Sequence, residues 1–129
     1  MNVLFVCIGN SGRSVMAERL FRRAAGGRHE AQSAGAAASG DSAEPVVVEA
    51  LLELDVDASD HVPRKLDDEA LAWADVAVTV CHDDVCPATP GVRQIHWGFD
   101  DPYGRPIEDV RVIRDGILAA VERLASELR

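Results

Sequence analysis

The 129-residue sequence has few long apolar runs, little positive charge and few cysteines, and each shortage excludes a class of protein. No stretch is apolar enough to span a bilayer, and the short apolar run after Met1 has no basic flank. Neither a membrane anchor nor a signal peptide is therefore expected. The formal net charge of −9 argues against nucleic acid or an anionic membrane as a partner, because both need a basic face. We expect a cytoplasmic protein that binds neither.

The three cysteines are too few, and odd in number, for a framework of stabilising disulfides. In a chain that shows no export signal they favour nucleophilic or redox chemistry. The sequence contains no internal repeat and no low-complexity tract, and its length suits one hydrophobic core. We expect residues 1–129 to form a single domain and the protein to be a monomer.

The segment from Cys7 to Ser14 has the composition of an oxyanion-binding loop. It follows an apolar run of strand length and precedes a helical pattern, so its backbone N–H groups would converge at a helix N-terminus, where anions bind. Five residues separate Cys7 from Arg13, enough for the loop to hold a tetrahedral anion between the sulfur and the guanidinium. The same surroundings favour the reactive thiolate. The other expected anion-binding residues are Ile8, Gly9, Asn10, Ser11 and Gly12.

This loop also has a simpler interpretation. A cysteine at the end of a buried strand is usually a small core residue, and glycine, asparagine and serine after a strand usually form an ordinary turn into a helix. Here all the residue types of an anion loop occur together at the positions such a loop requires. The combination favours anion binding.

Hydrophobic periodicity predicts alternating strands and helices. The predicted strands are residues 2–6, 29–32, 75–80 and 94–97, and the predicted helices are 14–25, a helix from Pro45, 66–74 and 106–128. The Gly-, Ser- and Ala-rich segment 33–44 is predicted to be a mobile loop. The segment 82–91, which contains two prolines and two aspartates, is also predicted to be a loop. This alternation predicts an α/β fold with a central four-stranded parallel sheet and helices on both faces.

Side-chain positions follow from the same periodicity. The helix from Pro45 should bury Val48, Leu51 and Leu52. The last helix should bury one apolar stripe, formed by Val110, Ile113, Ile117, Val121, Leu124 and Leu128. Glu18 and Arg22, four residues apart on the first helix, should form a weak surface pair.

Several chemically active residues follow the ends of the predicted strands. Cys7 follows the first strand, Cys81 and Cys86 follow the third, and Asp101 lies in the loop after the fourth. In parallel sheets, ligands bind beyond the carboxyl ends of the strands. We therefore expect the loops that carry these residues to open on the same edge of the sheet.

Three motifs together resemble the low-molecular-weight protein tyrosine phosphatase superfamily. They are the Cys7–Ser14 loop with Asn10 inside it, the tripeptide Ser33-Ala34-Gly35 and the late pair Asp101-Pro102. Further motifs narrow the resemblance to the arsenate reductases built on that phosphatase fold. These motifs are VTVC at 78–81, Cys86-Pro87, HWGFDDP at 96–102 and Arg111-x-x-Arg114-Asp115. The resemblance covers nearly the whole chain.

The resemblance implies that the protein reduces arsenate to arsenite, with phosphate and sulfate as competing oxyanions and weak phosphatase activity as a side reaction. Cys7 would attack arsenic, Arg13 would hold the oxyanion, and Ser14 would hydrogen-bond the thiolate. Asp101, presented by the Asp-Pro turn, would protonate the leaving oxygen. The sequence also allows Asp100 in that role.

The resemblance further implies a relay of disulfides. Cys81 would attack the Cys7 adduct, and Cys86 would then attack Cys81, leaving a Cys81–Cys86 disulfide for an external reductant. Thioredoxin is the expected reductant. The gap between Cys81 and Cys86 is shorter than in the best-known thioredoxin-coupled members, which leaves mycothiol or another small thiol as the second possibility. The cycle requires no cofactor and no metal ion.

Some members of this group also bind potassium beside the loop. The matching residues here are Asn10, Glu18 and Ser33, but the stretch that should add an acidic residue is basic, at Arg64 and Lys65. A basic residue at that place would repel the cation. We therefore expect no potassium requirement, with Arg64 or Lys65 supplying the charge.

Three other functions compete with the reductase. A tyrosine phosphatase would use the same nucleophile and acid, with water in place of Cys81. A non-catalytic anion-binding or redox-sensing module is the second alternative. The third is a zinc site formed by Cys81 and Cys86 with His82 and His96, although their spacing matches no common zinc motif. Apart from these functions, Cys81 has a purely structural interpretation as the buried end of a strand.

Overall fold

A computed structural model describes residues 1–82 and 86–128 of the chain. Four strands and four helices make up this part. The strands are β1 (Asn2–Cys7), β2 (Glu30–Gly35), β3 (Val76–Thr79) and β4 (Arg93–His96), and the helices are α1 (Arg13–Ala25), α2 (Pro45–Leu52), α3 (Asp68–Trp73) and α4 (Ile107–Glu127). The loop predicted at 82–91 includes residues 83–85, which lie outside the described residues.

The four strands form one parallel sheet in the order β2-β1-β3-β4. Its central strand β1 is buried on both faces, with Val3, Leu4, Phe5 and Val6 all fully inaccessible. This explains why the strand reads as a continuous apolar run rather than an alternating one. The predicted four-stranded parallel sheet is confirmed.

Helices cover both faces of the sheet, and successive residues of β1 face opposite layers. Phe5 shares a core with α1, α2 and α4, which pack on one face. Leu4 and Val6 share a smaller cluster with Ala34 and with Ala70 of α3 on the other face. The predicted helices on both faces are confirmed.

Strand β2 is longer than predicted and lies later in the chain. The sequence predicts a strand at 29–32 and a loop from Ser33, whereas β2 runs from Glu30 to Gly35 and pairs with β1 as far as Cys7. Serine, alanine and glycine have weak strand propensity, so the pattern misses these positions. Pairing with the fully buried β1 overrides that preference.

One predicted core residue of α2, Leu52, points towards solvent. Val47, Ala50 and Leu51 are buried, whereas Leu52 is 53% exposed. Positions 47, 50 and 51 are spaced by three and four residues and share one helix face, and position 52 lies about 100° further round the helix. The expectation that Leu52 points inward is wrong.

Helix α4 is tied to the end of α2 by charged hydrogen bonds. Arg111 donates to both carboxylate oxygens of Glu53, with its shortest contact at 2.6 Å, and Arg114 donates to Glu53 at 2.6 Å. Arg114 is buried and also donates to the carbonyl of Ala50 at 2.8 Å. Hydrogen bonds from Arg111 and Arg114 lower the pKa of Glu53 to about 2.

The apolar stripe predicted for α4 is confirmed. Val110, Ile113, Ile117, Val121 and Leu124 are buried, with charged residues on the opposite face of the helix. Within residues 1–82 and 86–128, no helix combines the length and the apolarity needed to cross a membrane.

The depressed pKa of Glu53 predicts an acid-dependent stability. Its folded-state pKa is about 2 against an ordinary value of 4.5, so its contribution to the free energy of unfolding is complete above pH 4.5 and is lost as the pH falls towards 2. This contribution is measured by comparing the free energies of urea unfolding of the wild type and Glu53→Gln between pH 7 and pH 3. We expect the variant to be less stable at pH 7 and the difference to shrink below pH 5.

Glu49→Gln provides the matched control, because Glu49 is an exposed carboxylate on the same helix. A stability difference between the wild type and Glu53→Gln that stays constant down to pH 3 would contradict this assignment.

Candidate active site

The thiol of Cys7 lies at the carboxyl end of β1, and α1 begins six residues later at Arg13. Residues 8–12 form the connecting loop. Cys7 is buried, and its Sγ lies 2.8 Å from the hydroxyl of Ser14 and accepts the backbone N–H of Asn10 at 3.3 Å. The N–H of Asn10 donates to the sulfur, and the Ser14 hydroxyl can do so when Cys7 is a thiolate.

Asn10 determines the shape of this loop. It is fully buried and has a left-handed backbone conformation with φ of 52°. Its Nδ2 donates to the Ser14 hydroxyl at 2.9 Å, and its Oδ1 accepts the backbone N–H of Arg64 at 2.8 Å. Its carbonyl accepts Nε2–H of His61 at 2.8 Å. All its polar groups are therefore engaged, which fixes an otherwise disfavoured conformation.

His61 is a site residue that the sequence does not reveal. It is buried, and it reaches the loop from a segment 51 residues further along the chain. A lone histidine in a polar stretch carries no periodic or motif signal. From the sequence alone it is only a surface residue or a buried residue with satisfied hydrogen bonds, and the structure shows the second.

The end of β2 supports the loop from beneath. The N–H groups of Ala36 and Ala37 donate to the carbonyls of Cys7 and Ile8 at 3.1 and 2.8 Å. This approach requires glycine at position 35, because a Cβ there would lie 2.4 Å from the Ile8 carbonyl oxygen.

The loop opens into a cavity of about 190 Å³. Cys7, Arg13, Glu44, Asp101 and Tyr103 line it together with loop residues Ile8, Gly9, Ser11 and Gly12. Of the predicted anion-binding residues, Asn10 does not line it and instead holds the loop from behind. The cavity is small and has an arginine and a thiol on its wall, which suits a tetrahedral oxyanion.

The segment after β4 closes one side of this cavity. Nη1 of Arg13 donates to the carbonyl of Phe99 at 2.9 Å, and Nη2 lies 3.9 Å from Oδ2 of Asp101. Pro102 packs so closely on Gly12 that a Cβ at that glycine would lie 2.9 Å from the proline ring. Asp101 is 61% exposed, so its carboxyl can exchange protons with solvent.

The two neighbouring aspartates have different surroundings. Asp101 lines the cavity, and its Oδ1 accepts the backbone N–H of Tyr103 at 3.0 Å. Asp100 pairs instead with His82 at 3.0 Å and lies 3.9 Å from Arg105. Of the two carboxylates, Asp101 is therefore the one placed to reach an anion in the cavity.

The other two cysteines are joined. Cys81 and Cys86 form a disulfide with a Cα–Cα distance of 5.5 Å, whereas Cys7 is a free thiol. Cys81 is fully buried and Cys86 is half-buried. With both sulfurs in a disulfide, neither thiolate is available to zinc in this state.

Sheet register brings the cysteine-bearing segments to one edge. Val6 pairs with Thr79, and the N–H of Val80 donates to the carbonyl of Val6 at 2.9 Å. Cys7 and Cys81 therefore leave adjacent strands in the same direction. The segment after β4, which carries Asp101, reaches the same edge through its contact with Arg13.

Glu18 lies behind the loop and not at the surface. It is buried, with Ser33 donating to Oε1 at 2.7 Å, Arg19 donating to Oε2 at 2.9 Å, and Arg22 at 3.4 Å. Glu18 and Arg22 do form the expected pair, but the expectation that it lies at the surface is wrong, because Glu18 is buried. The positive charge that balances the Glu18 carboxylate comes from Arg19 and Arg22 of α1. The Arg64 guanidinium bonds to Gln32 instead. Potassium independence stays a prediction.

Comparison with known proteins identifies relatives over the full chain. The sequence model of the family described as "Low molecular weight phosphotyrosine protein phosphatase" matches residues 2–129. An arsenate reductase of Brevibacillus brevis is 40% identical over 126 residues, 95% of this chain and 92% of that protein.

Two solved structures extend the comparison. The arsenate reductase of Archaeoglobus fulgidus is 34% identical with a TM-score of 0.87, covering 97% of this chain and 99% of that one. A thioredoxin-dependent arsenate reductase of Corynebacterium glutamicum is 31% identical with a TM-score of 0.75, covering 97% of this chain and 61% of that one.

The close approach at Gly35 gives a test of the loop's support. We expect Gly35→Ala to destabilise the protein by about 1–3 kcal/mol, because a side chain there must displace the loop backbone. It should also weaken phosphate binding, measured by calorimetry. Gly98→Ala is the control, because a Cβ at Gly98 meets no described atom within 4 Å. Equal stability and equal phosphate affinity in the two variants would contradict this role of Gly35.

Proposed function

The chain belongs to the low-molecular-weight phosphotyrosine protein phosphatase family, and from this premise we propose that it is an arsenate reductase. One observation carries the proposal: a free thiol in an oxyanion loop lies at the same sheet edge as a second, disulfide-bonded pair of cysteines. A phosphatase needs only the first of these. The identity to arsenate reductases over more than nine-tenths of the chain supports the same activity.

Arsenate is held as a tetrahedral oxyanion. The backbone N–H groups of the loop residues that line the cavity, the N-terminus of α1 and the guanidinium of Arg13 provide the positive surroundings. Phosphate and sulfate have the same shape and charge and compete for the loop. Arg13 is already oriented by the Phe99 carbonyl, so little side-chain ordering remains to be done on binding.

The first step is nucleophilic displacement at arsenic. The Cys7 thiolate, stabilised by Ser14 and the N–H of Asn10, forms the S–As bond as an oxygen leaves. Asp101 gives its proton to that oxygen, which departs as water. The arsenic is still in its oxidised state at this point.

The second step transfers two electrons. The Cys81 thiolate attacks Sγ of the Cys7 adduct, the S–As bond breaks, and its electron pair leaves with arsenic as arsenite. A Cys7–Cys81 disulfide results, and the two thiols have been oxidised. The Cys86 thiolate then attacks Cys81, which releases Cys7 as a thiolate and leaves Cys81–Cys86.

The observed thiol and disulfide arrangement supports this relay, because it is the arrangement expected after one turnover. An external dithiol must then reduce Cys81–Cys86. We propose thioredoxin, in line with the thioredoxin-dependent relative from Corynebacterium glutamicum. A cycle that repeatedly needs reduced thiols suits the cytoplasm. One chain supplies every residue of the cycle, so we propose a single domain that acts as a monomer.

Cysteine variants separate a reductase from a phosphatase. We expect Cys7→Ser to abolish both arsenate reduction with thioredoxin and phosphatase activity. Cys81→Ser and Cys86→Ser should lose multiple turnover on arsenate yet still hydrolyse p-nitrophenyl phosphate, because hydrolysis needs only water as the second nucleophile. In a single turnover, Cys86→Ser should release one arsenite per chain and Cys81→Ser none.

The alternatives predict other patterns. Normal cycling of Cys81→Ser and Cys86→Ser on arsenate would refute the relay. Phosphatase activity without arsenate reduction in the wild type would favour the phosphatase instead.

The acid assignment has its own test. We expect Asp101→Asn to slow arsenite formation in a single turnover by about 10²–10⁴-fold, because the leaving oxygen loses its proton donor. Asp100→Asn is the matched control, since Asp100 is a neighbouring carboxylate paired with His82. The larger loss in Asp100→Asn would assign the acid to Asp100.

A further inference from the structure

A hydrogen-bonded pair of side chains lies against the Cys81–Cys86 disulfide. Oγ1 of Thr79 is 2.7 Å from Nδ1 of His96, and the same nitrogen is 3.8 Å from Sγ of Cys86. Thr79 and His96 are the last residues of β3 and β4 and face each other in the sheet register. The sheet therefore fixes the imidazole against the sulfur.

The threonine hydroxyl can serve this nitrogen in both of its protonation states. Thr79 is fully buried, and its Oγ1 also lies 3.5 Å from the carbonyl of Ile95. When Nδ1 of His96 carries a proton, the hydroxyl accepts from it and donates to that carbonyl. When Nδ1 is bare, the hydroxyl donates to it. A hydroxyl is both donor and acceptor, so the imidazole keeps its orientation as the proton moves.

The proposed arsenate reductase function gives this pair a task. We propose that His96, positioned by Thr79, accepts the proton of the Cys86 thiol and so makes Cys86 the nucleophile of the last relay step. The proton passes from Cys86 to Nδ1 of His96 as the Thr79 hydroxyl turns from that nitrogen to the Ile95 carbonyl. The thiolate then forms the bond to Cys81 as the Cys7–Cys81 bond breaks, and that bond's electron pair leaves with Cys7. No external electrons are consumed.

Two thiols of the relay, Cys7 and Cys86, thereby have separate activating groups. The donors at Cys7 belong to the oxyanion loop, at Ser14 and Asn10, and Cys86 lies on the segment that packs against β4. An ordinary thiol with a pKa near 8.5 is only about 3% thiolate at pH 7, so activation raises its attack rate by up to about 30-fold. His96 is exposed at the end of β4.

Single-turnover disulfide mapping isolates this step. Reduced protein receives one equivalent of arsenate without thioredoxin, and samples are alkylated over time. Arsenite is measured, and peptide mass mapping distinguishes Cys7–Cys81 from Cys81–Cys86. For His96→Ala we expect arsenite release and Cys7–Cys81 formation at the wild-type rate. Conversion to Cys81–Cys86 should be about 10- to 30-fold slower.

Two pairs of substitutions separate this role from a merely structural one. The side-chain amide of asparagine occupies the place of Nδ1, whereas that of glutamine reaches the place of Nε2. Neither amide can accept a proton at neutral pH, so we expect His96→Asn and His96→Gln to convert as slowly as His96→Ala. Thr79→Val should slow the conversion, and Thr79→Ser, which keeps the hydroxyl, should not.

The matched control is His82→Ala, since His82 adjoins Cys81 but bonds to Asp100 at 3.0 Å. It should convert at the wild-type rate. The proposal is overturned if His96→Ala converts at the wild-type rate, or if His96→Asn does so, because asparagine keeps a hydrogen-bonding group near Cys86 but cannot accept its proton. Failure of the reductase function itself has a different signature, because the wild type would then yield neither arsenite nor a Cys7–Cys81 disulfide.

Discussion

The site depends on the hydrogen bonds of one buried residue, Asn10. Its left-handed conformation bends the chain so that a backbone N–H points at the Cys7 sulfur, and such a conformation persists only when its surroundings hold it. Two segments do so: α1 through Ser14, and the stretch before α3 through His61 and the Arg64 backbone. An unpaired polar group at this depth costs about 1–3 kcal/mol. The loop can therefore take this shape only in the complete fold.

Local donors, and not net charge, govern this cavity. The chain carries a formal charge of −9, and Glu44 and Asp101 both line the cavity. Screening limits the reach of distant charges to about 8 Å at physiological ionic strength. The Arg13 guanidinium and the start of α1 lie directly at the oxyanion loop, so an acidic protein can present a site for an anion.

Sequence reasoning succeeds where the signal is local. The buried strand β1, the apolar stripe of α4 and the spacing of Cys7 and Arg13 each lie within a short stretch, and the structure contains all three. It fails where a contact with a residue far away in the sequence determines the local structure. Ser33 joins β2 because β1 is beside it, and Glu18 is buried because Ser33 and Arg19 satisfy its carboxylate.

The supporting residues of the site show the same limit. His61 and the Arg64 backbone lie 51 and 54 residues from Asn10, so no periodicity or spacing could reveal those contacts. Asp101 and Asp100 are adjacent in the sequence, and only the packing of Pro102 on Gly12 and the partners of each carboxylate separate them. The chemistry can therefore be predicted from the motifs, and its geometry cannot.

Burial gives the proposed relay its direction. Cys7 and Cys81 are both buried, where a protein reductant cannot reach their sulfurs. Cys86 is only half-buried. Thiol–disulfide exchange requires an accessible sulfur in line with the attacking thiolate. Moving the disulfide from Cys7–Cys81 to Cys81–Cys86 therefore carries the oxidising equivalents outward. It also returns Cys7 as a thiolate to the donors of Ser14 and Asn10, ready for the next anion.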